Sequence, residues 1–511
     1  MSLPAMDMVF VAYETILERY PDQEGYAYWV DELNKANTPN NEGWFGSSTD
    51  LIDEFLSSEE YIDKNGEMTS SEFVTDLYQT VLLRGSDALG ERFWSERLES
   101  GAIDKADVVL GFIASQEFSD KFIPSTGDQW IPTDFLTTST SWDTSGNQIL
   151  NAAGENTQLQ SVNWFGFEGD DGVIDGLWAR SYKDMLDQVL SEGFSTVRLP
   201  FASESLTFVP NTTDSSAPNY TYIGGPGDPI YVDNVDFSGK STLEMMDLIV
   251  DYADEIGINI VLDHHRMSLG VGTENGLWYS DEYPVEDWVS GWQQLALRYA
   301  GYDNVIGADL QNEPYEGTWG GGGDKDWAAA AETAGNAVLQ TNPNWLVIVE
   351  GVETYDESNY WWGGNLMGVA DRPIVLDLDN KVVYSPHDYP SSVSSQPWFN
   401  DPSYPDNLPE IWDQYWGYIY KDDENPAPIW IGEFGTQYET DSDKEWLGHL
   451  SAYLGGDFDD DGTRDIPESD QGMSWAYFGW GPNSGDTGGI LQDDWISVWQ
   501  DKLDAIEPAY T

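Results

Sequence analysis

Two glutamates, Glu313 in LQNEP and Glu433 in IGEFG, close short apolar runs in a chain of 511 residues. A pair of carboxyls is the basic equipment for breaking a glycosidic bond. One, protonated, gives its proton to the leaving oxygen, while the other, ionised, attacks or stabilises the anomeric carbon. A separation of about 5–5.5 Å gives retention and a wider gap gives inversion. Other apolar runs end on Arg198, on His264 and His265, on Asn312 beside Glu313, and on His387 with Tyr389. Three of the four histidines fall in this set. Singly, a strand-end arginine is an ordinary salt-bridge residue and a lone histidine an ordinary structural one. Together they read as the lining of one site. A second constellation is independent of these: Asp457, Asp459, Asp461, Gly462, Thr463, Asp465 and Glu468 follow D-x-D-x-D-G with Glu at position twelve, a spacing that converges oxygen ligands on a hard cation. Arg464 stands at the usually apolar eighth position and no helix pattern flanks the segment. The expectation is a calcium-bound surface loop with a structural role.

The first set meets only if regular elements bring distant segments together. Candidate strands are 160–167, 196–201, 258–265, 305–313, 346–351, 382–389, 429–435 and 473–480, with helical patterns such as 181–192, 243–256, 285–299 and 326–340 between them. Strand and helix alternating eight times over about 350 residues predict an α/β fold, a (β/α)8 TIM barrel, whose chemistry sits at the C-terminal strand ends. A doubly wound open sheet would call for a Gly-rich phosphate loop after the first strand, and NWFGFEGDD is not one.

Ahead of the barrel, residues 14–33 and 79–98 align without gaps, sharing Thr15/Thr80, Leu17/Leu82, Arg19/Arg84, Asp22/Asp87, Gly25/Gly90, Trp29/Trp94 and Leu33/Leu98. Apolar spacing of three and four on both sides of D-x-x-G predicts helix, turn, helix in each copy, with further helices near 51–61 and 108–122. The organisation expected is a small all-α domain over 1–123, a Ser/Thr/Asp/Gly-rich lead-in over 124–157 and the barrel over 158–511. The first part resembles the helical repeat domain of unknown function of family 4214. It reads as a spacer or as an attachment to a protein or surface partner.

Ninety-two acidic against 21 basic side chains give a formal charge of −71, which repels nucleic acid and anionic lipid but not a neutral ligand. With 40% hydrophobic and 14% aromatic residues the chain has the material for packed cores. Dense carboxylates with few lysines keep a surface hydrated where salt screens repulsion, so salt adaptation is expected. Zero cysteines exclude disulfides and thiolate chemistry. No run of 18 apolar residues occurs and MSLPAMDMVF is too short for a signal peptide, so no membrane span is expected and an export signal is absent or already removed.

The segments VRLP, LDHHR, LQNEP, SPHDY and IGEFG, in order on strands two, three, four, six and seven, resemble glycoside hydrolase family 5, within the clan of retaining (β/α)8 glycosidases. The resemblance runs over nearly all of 158–508. The stretches VNWFGFE, AGNAVL, VEGVETY, YWWGGNL and NSGDTGGILQDDW are similar to the actinobacterial-type endo-β-1,4-glucanases of that family. It implies Glu313 as acid/base and Glu433 as nucleophile, Asn312 on the sugar 2-hydroxyl, and His265 in a subsite with His264 behind it. Arg198 and Tyr389 would hold the nucleophile ionised, and His387 would line the −1 site. Flat sugar faces stack on aromatic rings, which makes Trp164, Trp178, Trp319, Trp362 and Trp480 candidate platforms. Relatives carry W-x-x-W-x-W on strand eight, with the middle Trp beneath the −1 sugar; here the residues are Trp475, Phe478 and Trp480, and Phe478 holds the platform position. The implied activity is a secreted retaining cellulase acting on cellulose, cello-oligosaccharides or related β-glucans without a catalytic cofactor. Another β-glycan specificity and a non-catalytic carbohydrate-binding protein are the alternatives.

Overall fold

In the computed structural model of the protein, the described residues are 5–17, 28–29, 48–118 with short gaps, and 141–511 without 218, 225–232 and 423–424. They form two compact units, one of residues 1–139 with 286–302 and 337–343, the other of residues 140–285, 303–336 and 344–511. The described part of the N-terminal segment is helical, with helices Ser48–Leu56, Glu59–Asn65, Ser70–Thr80, Ala88–Glu99 and Lys105–Ile113. The second repeat copy runs from the end of one helix through a turn into the next, as its apolar spacing predicts; most of the first copy lies outside the described residues. Thr69 and Glu72 cap Ser70–Thr80 reciprocally, and Leu51, Ile52, Phe73, Val74, Leu77 and Phe112 share a buried core.

Residues 143–157, expected as turns and extended chain, pair into a three-stranded antiparallel sheet. It continues the barrel floor, where Trp142, Ile149 and Leu159 cluster with Val261, Ile306, Leu346, Val383, Trp430 and Ala476. Eight strands then close the barrel: β1 (Gln160–Asn163), β2 (Thr196–Ala202), β3 (Asn259–Arg266), β4 (Val305–Asp309), β5 (Leu346–Glu350), β6 (Val382–Ser385 and His387–Asp388), β7 (Trp430–Phe434) and β8 (Ser474–Phe478). All neighbours are parallel. β4 and β5 are buried along their whole length, which is why VIGA and LVIV read as continuous apolar runs. Pro386 lacks an N–H for the ladder and splits β6, whose first half pairs with β5 and whose second half pairs with β7. A parallel bridge between Tyr384 and Ile429 completes the ring.

The helices begin where the sequence supplies caps: Ser181 before Tyr182–Ser191, Ser241 with Glu244 before Thr242–Ile256, and Thr440 before Asp441–Leu454. The alternation is broken once. Between β5 and β6, residues 351–381 hold only a two-residue hairpin and a 3₁₀ turn at Met367–Ala370. YWWGGNL has no 3.6-residue apolar period to support a helix.

Candidate active site

Register decides which side chains meet at the C-terminal mouth. Asn163 lies beside Arg198, Asp263 beside Asp309, and His387 beside Glu433. Arg198 is the hub. Its Nε donates to Asp309 at 2.8 Å, Nη1 to Glu433 Oε1 at 2.7 Å and Asn163 Oδ1 at 3.0 Å, and Nη2 to Glu350 Oε1 and Asn312 Oδ1 at 3.0 Å each. Asp263 is a fourth carboxylate, 3.1 Å from Nη1. Burial alone would lower the guanidinium pKa, but Asp263, Asp309, Glu433 and Glu350 outweigh it and hold the charge firmly.

Glu433 also accepts the Tyr389 hydroxyl at 2.6 Å. Burial pushes its carboxyl up, but His387, Arg198 and His265, with the Tyr389 hydrogen bond, bring it below the usual glutamate value. Glu313 behaves oppositely: burial and the charges of Glu433 and Glu350 raise it against the pull of His387. Two carboxyls in one site are thereby pushed apart, one toward the acid form and one toward the anion. Glu313 stands four residues beyond the end of β4, not within a strand, in a turn with φ of 43°. His387 Nδ1 lies 3.0 Å from Glu313 Oε1 and 3.7 Å from Glu433 Oε2, while Nε2 makes a charge contact with Glu350 Oε1 at 3.2 Å. Burial would lower the ring's pKa, and Glu350 and Glu433 raise it well above the ordinary histidine value. One oxygen each of Glu313 and Glu433, with a ring nitrogen of His387, lie within 4.8 Å of one another.

The two adjacent histidines separate by environment. His264 is buried between Gln311 Oε1 (2.8 Å) and Ser203 Oγ (2.7 Å), and burial lowers its pKa to about 4. His265 lines the cleft with Nδ1 on Asp263 Oδ2 at 2.7 Å; burial opposes its charge, but Asp263 dominates and raises its pKa to about 9. Asn312 lines the cleft too, its Oδ1 taken by Arg198, which leaves its amide N–H groups for a ligand.

Residues 150–484 match the model of the cellulase family, glycosyl hydrolase family 5. The chain belongs to glycosyl hydrolase family 5. An endoglucanase of Paenibacillus polymyxa is 44% identical over 372 residues, covering 71% of this chain and 86% of that one. The major extracellular endoglucanase of Xanthomonas campestris is 37% identical over 364 residues, covering 70% and 68%. A cellotetraose complex of an endocellulase from Pyrococcus horikoshii is 36% identical with a TM-score of 0.61, over 73% of this chain and 99% of that one. Residues 52–122 match DUF4214, a domain of unknown function. This family 5 member is therefore a glycoside hydrolase of the endoglucanase type, with a DUF4214 region ahead of its barrel.

The cleft of the family 5 barrel has two lobes, of 540 and 490 Å³, which share Glu313, Trp362, Phe478 and Ser484. Of the candidate platforms, Trp362 and Phe478 line it; Trp362 stacks on Tyr315 with centroids 4.1 Å apart and Phe478 on Phe165 at 5.4 Å. The other candidates do not line it. Trp164 follows inward-facing Asn163, so strand alternation turns it away from the mouth, where its Nε1 donates to Asp175 O. Trp319 is buried with Nε1 on Arg372 O, and Trp480 is fully buried edge-on to Phe194. Trp178 is exposed, edge-on to Trp495 outside the lining. His387 is fully buried beneath Glu313 and Glu433 and is not part of the cleft wall.

Residues the sequence reading missed are Phe165, Tyr315 and Trp361 in the wall and Asp263, Asp309 and Glu350 below it. Acidic residues inside apolar strands, as in VIGAD and LVIVE, are the signal that could have found the latter. In the acidic loop, oxygens of Asp457, Asp459 and Asp465 lie within 4.8 Å of one another. Asp461 instead accepts the Thr463 N–H and hydroxyl, and Glu468 is outside the group. Arg464 replaces the usual apolar anchor by donating to Gly455 O and Asp470 O at 3.0 Å each.

Proposed function

We propose that this family 5 cellulase is a retaining endo-β-1,4-glucanase, with Glu313 as acid/base and Glu433 as nucleophile. The carrying observation is the approach of the two carboxyls, which have oxygens within 4.8 Å. Inversion needs about 6.5–9.5 Å, to seat a water between carboxyl and sugar. In the first displacement a Glu433 oxygen bonds to the anomeric carbon as the glycosidic C–O bond breaks, and Glu313 gives its proton to the departing oxygen. In the second, the Glu313 carboxylate takes a proton from water, whose oxygen bonds to the same carbon and frees Glu433. Asn312, His265 and Tyr389 are arranged to bind the −1 sugar, and Trp362 and Phe478 to stack on sugar rings.

Cellulose and cello-oligosaccharides are the substrates, a reading supported by the endoglucanase relatives and the cellotetraose-bound neighbour. Glu313→Gln should lower kcat on cellotetraose by about 10²–10⁴-fold and abolish the alkaline limb of the pH profile, because Glu313 is the group that must hold a proton. NMR of the wild-type reaction should show the β-anomer first; α-anomer first would sink retention, and hydrolysis of mannan but not carboxymethylcellulose would sink the glucan assignment.

The enzyme works outside the cell in saline surroundings, a reading supported by the −71 charge and the extracellular Xanthomonas relative. Its melting temperature and activity should rise from low to molar NaCl as screening relieves carboxylate repulsion; a flat or falling curve contradicts this. The 457–468 loop binds structural calcium, with Asp457, Asp459 and Asp465 as the first ligands. Chelated protein should gain melting temperature on adding Ca²⁺, and Asp457→Ala should remove the gain. An unchanged melting temperature would leave the loop as a solvated acidic turn. The N-terminal helical repeat serves as an attachment or spacer domain.

A further inference from the structure

Glu350, at the end of β5, has a fully buried side chain and lies under the reacting pair without facing the cleft. Its two oxygens do different work. Oε2 accepts the backbone N–H of Glu313 at 2.7 Å, and Oε1 lies 3.0 Å from Arg198 Nη2 and 3.2 Å from His387 Nε2. The Glu313 backbone has φ of 43°, a left-handed conformation that side-chain-bearing residues rarely adopt, so something must hold it there. The chain also closes tightly over this group. Gly363, with φ of 69°, packs so near that a Cβ would collide with Glu350 Oε2 and sit 3.4 Å from both Glu313 Cγ and His387 Nδ1.

We infer that Glu350 is a positioning residue for proton transfer: it aims Glu313 through the backbone N–H and fixes the His387 ring between the two reacting carboxyls. The inference rests on Glu313 being the acid/base. A glutamine has the same shape, but its amide carries donors on one side and an acceptor on the other. Either Glu313 N–H or the Arg198/His387 pair would then meet a donor, and the acid would lose its aim.

The test compares two leaving groups. Cellotetraose departs as a poor alkoxide and needs the proton, whereas 2,4-dinitrophenyl β-cellobioside departs without it. Glu350→Gln should lower kcat on cellotetraose about 100-fold with KM within about threefold, and leave the dinitrophenolate burst within about threefold of wild type. An equal fall on both substrates, as a merely structural role would give, or an unchanged kcat on cellotetraose, overturns the inference. Should Glu350→Gln not fold, Gly363→Ala, which displaces the carboxylate while keeping its charge, must show the same leaving-group dependence or the inference fails. Glu313→Gln run alongside separates the two readings. If it spares the dinitrophenyl substrate and Glu350→Gln does not, only the role of Glu350 falls; if Glu313→Gln shows no such dependence, the acid/base assignment falls.

Discussion

Glu433→Gln should lower kcat on cello-oligosaccharides by roughly 10⁴-fold or more, because an amide cannot form the glycosyl ester and nothing else in the site can take its place. That is at least about 5.5 kcal/mol of transition-state stabilisation. The fold should survive, since the amide oxygen still accepts from Arg198 Nη1, now 2.7 Å from Glu433 Oε1, and the amide N–H can face the Tyr389 oxygen. A melting temperature close to wild type would separate lost chemistry from lost structure. The role is read by the product that azide forms in Glu433→Gly. Azide entering from the face vacated by the nucleophile gives the α-glycosyl azide, whereas replacing water in the second step of a Glu313 variant gives the β-azide. A β-azide from Glu433→Gly would exchange the two assignments. In wild type, the acid limb of the pH–rate profile should fall below the ordinary glutamate range, where the lowered Glu433 takes up its proton. The alkaline limb should lie above that range, where the raised Glu313 loses its own.

The largest effect on stability should come from Arg198→Met. Methionine fills similar space but takes the shared guanidinium from Asp263, Asp309, Glu350 and Glu433, leaving only the His265 and His387 rings to offset the buried charge. Removing one partner of a buried pair costs about 3–5 kcal/mol, which at the size of this barrel lowers the melting temperature by about 5–15 °C. The loss should depend on pH with a definite sign. In wild type the Glu433 and Asp263 pKa values are held down despite burial, chiefly by His387 and Arg198 for Glu433 and by Arg198 for Asp263. Their contribution is present above the ordinary carboxylate range and is lost as pH falls through the folded values. The variant lacks the Arg198 part, so the two stability curves should converge toward acid and diverge toward neutrality. Parallel curves from pH 3 to pH 7 would show that Arg198 contributes by packing alone. The acid limb of any residual activity should also move to higher pH, since Glu433 without its guanidinium binds a proton more readily.

How far the site was legible follows from what each residue does in its strand. The strands were most readable where both faces are buried and the apolar run is continuous, as in β4 and β5. Glu313 and Glu433 stood out as carboxyls in motifs that close such segments, although Glu313 lies beyond its strand and the carboxyls that end β4 and β5 themselves, Asp309 and Glu350, did not stand out. The split between His264 and His265 was implied by the family 5 resemblance; its physical basis is that adjacent strand residues face opposite ways, and His265 is the one that lines the cleft. The helix expected between β5 and β6 is absent, and the described part of the lead-in, expected as turns and extended segments, has its extended segments paired into a sheet; short Gly- and Ser-rich segments take their shape from what they pack on.

The sequence by itself determined the barrel and the polar set at its strand ends, Glu313 and Glu433 among it, because period and residue type act locally along the chain. The tertiary structure alone decided how far apart the carboxyls stand, which aromatic rings reach the cleft and which are core, and that Asp263, Asp309 and Glu350 converge beneath the pair on one arginine. Those are distances between strands, fixed by barrel closure and register. A pattern along one strand carries the direction of a side chain but not its depth in the barrel or the neighbour that sets its charge.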